Sequence, residues 1–119
     1  MYSAVLNVTF DCEDPEAVAR FWRAATGYSI SEVKTPGNDH WVVSPPRRAL
    51  PRFVFVKVPE RKTVKNRVHL DLVPVAHDQQ AEVQRLLGLG ATMVDDRREM
   101  DPGGWVVLAD PEGNEFCVE

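Results

Sequence analysis

Residues 6–27 read LNVTFDCEDPEAVARFWRAATG, and their pattern decides the fold. Leu6, Val8, Phe10 and Cys12 alternate with Asn7, Thr9 and Asp11, the period of a half-buried strand with Cys12 on its apolar face. Asp14-Pro15-Glu16 follows. Asp suits an N-cap, Pro the first helical position, and Glu the positive end of the helix dipole. Val18, Phe21, Trp22 and Ala25 then recur at i, i+3, i+4 and i+7, one apolar helical stripe, and Gly27 closes it. Three strand-like runs complete the unit: Tyr28–Lys34, His40–Ser44 and Phe53–Val58. Pro36-Gly37-Asn38 punctuates the first two, and Pro45 to Pro51 is a loop.

Further along, the same order returns. Val68, Leu70 and Leu72 alternate with Arg67, His69 and Asp71, and Pro74 ends that strand. Val83, Leu86 and Leu87 form a second helical stripe, closed by Gly90. Strands are expected at Ala91–Asp96, Trp105–Ala109 and Glu115–Glu119, with turns at Asp101-Pro102-Gly103-Gly104 and Asp110-Pro111-Glu112-Gly113. The offsets agree: 69 − 7 = 62 from Asn7 to His69, 90 − 27 = 63 from Gly27 to Gly90, and 83 − 18 = 65 from Val18 to Val83. A doubled unit of this kind predicts an α+β protein of two tandem β-α-β-β-β modules, about 1–60 and about 61–119, with helices near 14–26 and 78–89. Neither half alone would bury a sufficient core, so one domain spanning 1–119 is expected.

Composition narrows the partners. The chain is 44% hydrophobic, enough for a packed core, and its net charge of 14 − 18 = −4 leaves no basic stripe for phosphate backbones. Nucleic acid is therefore not an expected partner. No apolar run approaches the roughly 20 residues of a membrane helix, and Met1-Tyr2-Ser3 does not open like a signal peptide. Cys12 and Cys117, without CxxC spacing, are expected as free thiols in a cytoplasmic protein.

Four stretches carry a resemblance. Asp14-Pro15-Glu16-Ala17-Val18-Ala19-Arg20-Phe21-Trp22, Gly27, Val68-His69-Leu70-Asp71-Leu72 and Asp110-Pro111-Glu112-Gly113-Asn114, in this order, resemble signatures of the glyoxalase / bleomycin-resistance / extradiol-dioxygenase (vicinal oxygen chelate) superfamily. The chain looks most like its glyoxalase-like domain proteins. The resemblance implies a cupped mixed β-sheet around a small-molecule site, one helix per module packed outside, and often a homodimer. It also implies a divalent metal held by His, Glu or Gln on the first and last strands of each module.

Carried over by spacing, those metal positions fall on Asn7, Phe55, His69 and Cys117. Only His69 is a usual ligand type there, so the expectation is no metal and no other cofactor. A divalent metal in a shifted site around His69, with Glu119, is the alternative. The expected ligand is a small organic molecule lined by Asn7, Phe55, His69, Asp71, Trp105 and Cys117. His69 and Asp71 share one strand face, where they serve either as ligand contacts and acid–base candidates or as a structural polar network. Trp41 and Trp105 occupy comparable strands, as pocket walls or as core. Lys65-Asn66 reads as solvated loop, and His40 and His77 as exposed. Two function classes stay open: a binding module, as in bleomycin-resistance-type relatives, and an enzyme, either metal-independent around His69 and Asp71 or a metal-dependent lyase, isomerase or dioxygenase.

Overall fold

The computed structural model of the chain describes residues 1–99 and 103–119. Of the turn expected at Asp101-Pro102-Gly103-Gly104, Asp101 and Pro102 lie outside the described residues. The chain divides into two compact units, Met1–Arg61 and Lys62–Glu119, each with the β-α-β-β-β order. No helix among the described residues is long and apolar enough to cross a membrane.

The first unit runs β1 (Asn7–Cys12), α1 (Pro15–Thr26), β2 (Ser29–Val33), β3 (His40–Ser44) and β4 (Arg52–Lys57), with a short turn at Pro46–Arg48. The strand order is β1-β4-β3-β2, with β1 parallel to β4 and the other pairs antiparallel. Asp14 caps α1 by accepting the Ala17 N–H at 3.2 Å. Gly27 ends it in the left-handed region at φ 73, where a Cβ would be strained. The stripe read from the sequence is the buried one: Val18, Phe21, Trp22 and Ala25 all face inward. Their counterpart on the sheet is aromatic. Phe10 lies 5.7 Å from Trp22 and stacks on Phe55 at 4.9 Å, and Phe53 meets the Trp22 edge at 5.9 Å. Fully burying each such ring contributes about 2–3 kcal/mol of apolar transfer free energy, so this cluster fixes the helix on the sheet.

The second unit runs β5 (Leu70–Leu72), α2 (Gln79–Gly88), β6 (Thr92–Asp96), β7 (Val106–Ala109) and β8 (Glu115–Val118), in the order β5-β8-β7-β6. Val83, Leu86, Val106, Leu108, Phe116 and Val118 are wholly buried. Asp78 caps α2 through the Ala81 N–H at 2.9 Å. Gln79 follows, and its side-chain amide donates 3.0 Å hydrogen bonds to the Gly104 and Val118 carbonyls, tying the helix start to the end of β8.

Strand β5 is shorter than its alternation suggests. It begins at Leu70, and Val68, expected on the buried face, is 75% exposed. The parallel ladder stops because Glu115, the residue of β8 nearest the preceding turn, donates its N–H to the Asn66 side chain at 3.1 Å. Upstream of Leu70 the strand has no ladder partner left.

Candidate functional site

Two local devices place one polar face of the second unit. The first is the turn from Asp110 to Asn114. Asp110 is 2% exposed, and its carboxylate accepts the backbone N–H groups of Glu112 and Asn114, both at 2.9 Å, and the Asn114 amide. Gly113 sits at φ 89, a conformation that favours glycine. This is the physical content of the Asp-Pro-Glu-Gly-Asn motif: a buried carboxylate satisfied by the turn it organises. The second device corrects an expectation. Lys65 and Asn66 are not merely solvated loop, because Lys65 pairs with Glu115 at 2.7 Å while Asn66 takes the Glu115 N–H. The Lys65 ammonium holds the Glu115 carboxyl below its ordinary range. Together they clamp the approach to β5 against the start of β8.

The clamp brings three of the expected site residues together. Asp71 stands opposite Cys117 in the β5–β8 register, and Val107 opposite Cys117 across β7–β8. His69, just ahead of β5, places Nδ1 3.3 Å from Asp71 Oδ1 and 3.8 Å from Cys117 Sγ. Donor atoms of the three residues lie within 4.8 Å of one another. His69 and Asp71 are half exposed, whereas Cys117 is 6% exposed. Burial, then the negative charge of Asp71, pushes the Cys117 thiol up to about 11, so it stays protonated at neutral pH and is no nucleophile. With Nδ1 engaged by its neighbours, His69 Nε2 has no hydrogen-bond partner among the described residues. Trp105 precedes β7, two residues before Val107, and is 37% exposed.

Unit 1 places its two expected site residues differently. Asn7 does not offer a free amide oxygen, because Arg52 donates Nε–H to it at 3.0 Å. Phe55 is wholly buried and stacks on Phe10 within the helix-facing core, on the face opposite Val54. The repeat offset had slipped by one. Asp71 follows Thr9 by 71 − 9 = 62, and their partners, Cys117 and Val54, are 117 − 54 = 63 apart. A one-residue slip along a strand exchanges its faces, so Val54 is the counterpart of Cys117. Trp41, opposite Phe55, shares the helix-facing side, with the Arg20 guanidinium 5.4 Å from its ring.

Sequence reasoning missed Glu82. It is 7% exposed, bound by Arg85 at 2.7 Å and by His77 at 2.8 Å, and the Arg85 hydrogen bonds bring its carboxyl down to about 2. His77, expected to be exposed, is exposed and also belongs to that network. An acidic residue in the first turn of a helix reads as a dipole contact, and nothing in its spacing shows that it is buried.

The profile of the glyoxalase-like domain family matches residues 7–119. The chain belongs to that family. Among solved structures, this glyoxalase-like chain is similar to the fosfomycin resistance protein FosX of Mesorhizobium loti, with a TM-score of 0.71 at 16% identity over 100% of this chain and 92% of that one. It is also similar to FosX of Listeria monocytogenes complexed with Mn(II) and 1S,2S-dihydroxypropylphosphonic acid, with a TM-score of 0.77 at 11% identity over 100% and 93% of the two chains. A glyoxalase/bleomycin resistance protein/dioxygenase family enzyme of Burkholderia phytofirmans gives 0.67 at 18% identity, over 94% of each. These likenesses concern the fold. No curated protein sequence matches the chain.

A manganese ion, present in one of those structures, takes oxygen-rich coordination. The donor set of this glyoxalase-like chain does not suit it. His69 supplies one nitrogen, Asp71 one half-exposed carboxylate, and Cys117 a thiol that would have to lose a firmly held proton. At the first-strand position, Arg52 brings a positive charge to the amide of Asn7. For zinc the donor types are acceptable and their number reaches three.

Proposed function

We propose that this glyoxalase-like domain binds a small organic molecule on the polar face formed by His69, Asp71 and Cys117, with Trp105 beside it, and does so without the divalent metal of its metal-dependent relatives. The observation that carries the reading is the braced imidazole: Asp71 accepts the Nδ1–H of His69 at 3.3 Å, Cys117 Sγ lies 3.8 Å from the same nitrogen, and Nε2 is left for a ligand. A protonated thiol and the neighbouring Val107 give that face a less polar floor, and a few directional polar groups over such a floor suit an organic ligand. The same proposal places the protein in the cytoplasm, where its two free thiols suit the reducing conditions, and makes it a homodimer. Sedimentation at tens of micromolar, roughly where weak interfaces populate, checks the dimer, and a strict monomer contradicts it. A screen of small organic compounds by NMR tests the binding reading. Ligands should shift His69, Asp71 and Cys117, and His69→Ala should abolish the effect. Compounds that bind only elsewhere, or equally well to His69→Ala, contradict the proposal.

A second reading rests on the proximity of the three donor atoms: zinc held by His69, Asp71 and Cys117, with lyase or isomerase chemistry at the open position. Zinc binding that releases one proton and is lost in Cys117→Ser would favour it.

A further inference from the structure

The first unit carries a concave site lined by its own residues alone. A cavity of about 570 Å³ lies between the ends of β2, β3 and β4 and the loop joining β3 to β4. Arg47, Arg48 and Arg52 line it, with Ser29, Ser44 and Leu50. We propose that this cavity binds a small oxyanion bearing an apolar group, a carboxylate or a phosphate monoester.

The charge argument comes first. Among the described residues, Arg47 and Arg48 have no hydrogen-bonding or ion-pair partner, and Arg52 has only the neutral amide of Asn7. Acidic groups are not scarce in this chain, which is negative overall, and most of its other arginines have found one. Three arginines thus line one cavity whose lining holds no carboxylate. Guanidinium forks match carboxylate and phosphate oxygens in pairs. Asn7 takes the Nε–H of Arg52 and so orients its fork, leaving the terminal nitrogens for a ligand.

The backbone supplies an independent argument. Arg47 and Arg48 both sit in the left-handed region, at φ 57 and φ 55. Consecutive non-glycine residues there are strained, and such strain gathers where side chains are held for a purpose. Both arginines line the one cavity. The apolar half of the ligand follows from the remaining walls. Leu50 and Leu6, each at least half exposed, offer hydrocarbon that the protein itself leaves uncovered, while the Ser29 and Ser44 hydroxyls can complete the shell around an oxyanion.

The test uses the full chain and NMR titration with phenyl phosphate and benzoate, with inorganic phosphate and benzyl alcohol as the two halves of the ligand. At least one of the aromatic oxyanions should give saturable shifts at Ser29, Ser44 and residues 47–52. Which of them binds more tightly identifies the oxyanion. Arg47→Asn with Arg48→Asn removes both charges and keeps a residue that tolerates the left-handed region; it should weaken binding about ten-fold or more. Arg52→Gln provides a second variant without any change in the strained pair, and should also weaken binding. The proposal is overturned by the absence of saturable shifts with both oxyanions, by undiminished binding to the variants, or by benzyl alcohol or inorganic phosphate binding as tightly as the aromatic oxyanions. Failure here leaves the reading of the His69 face untouched, since that reading is followed at residues 69, 71 and 117.

Discussion

Asp71 and Cys117 face each other across the parallel β5–β8 pair, so a carboxylate stands over a buried thiol. The Asp71 charge and the burial of the sulfur act in the same direction, and both keep the proton on Cys117. With the thiol pushed up to about 11, its thiolate fraction near pH 7 falls roughly 100-fold below that of an unperturbed cysteine. Alkylation by iodoacetamide, followed at Cys117 by peptide mass mapping, should therefore be slower than for a free thiol by at least that factor. It should accelerate as the pH rises above 9. Asp71→Asn should speed it. Rapid labelling of Cys117 at pH 7 would contradict this account of the face.

The turn before β8 should be sensitive to one carboxylate. Asp110→Ala removes the acceptor for two backbone N–H groups and the Asn114 amide in a buried setting. The expected loss is about 2–3 kcal/mol, read as a lower urea midpoint with an unchanged slope. A change below about 0.5 kcal/mol would mean that the turn does not depend on Asp110.

Acid should act through Glu82. Its carboxyl is lowered from 4.5 to about 2 by Arg85 first and His77 after it. A depressed carboxyl contributes stability that is complete above the unfolded value and is lost as the pH falls from about 4.5 toward 2. After discounting for its half-exposed partners, the contribution is about 2 kcal/mol. Glu82→Gln should reduce stability at pH 7 and flatten the dependence between pH 5 and 2. Parallel acid curves for the two proteins would show that Glu82 does not contribute.

The repeat made most of the architecture legible, because burial on a strand or helix leaves a period that survives in one sequence. Val18, Phe21, Trp22 and Ala25 mark α1 with no other help. The grouping of His69, Asp71 and Cys117 was legible for the same reason, since alternation and the repeat offset both fall on one face. Register was the weak link. A repeat offset cannot tell 62 from 63 where loops differ by a residue, and that single step sends Phe55 to the aromatic core and leaves Val54 on the other face. Tertiary partners were illegible for another reason. The clamp of Lys65 and Asn66 on Glu115 spans about fifty residues of chain, and neither residue carries a local signal of it. Glu82 hid in the same way, as an ordinary first-turn carboxylate whose burial depends on His77 and Arg85.

The central claim is ligand binding at His69 without a metal, and native mass spectrometry combined with metal analysis tests it most directly. The protein is purified from its own host, as wild type and as His69→Ala, each with and without chelator. The account predicts an organic adduct on the wild type that survives chelation and disappears in His69→Ala, with no stoichiometric transition metal. Near-stoichiometric zinc, nickel, manganese or iron, removed by chelator and lost in His69→Ala, would contradict it.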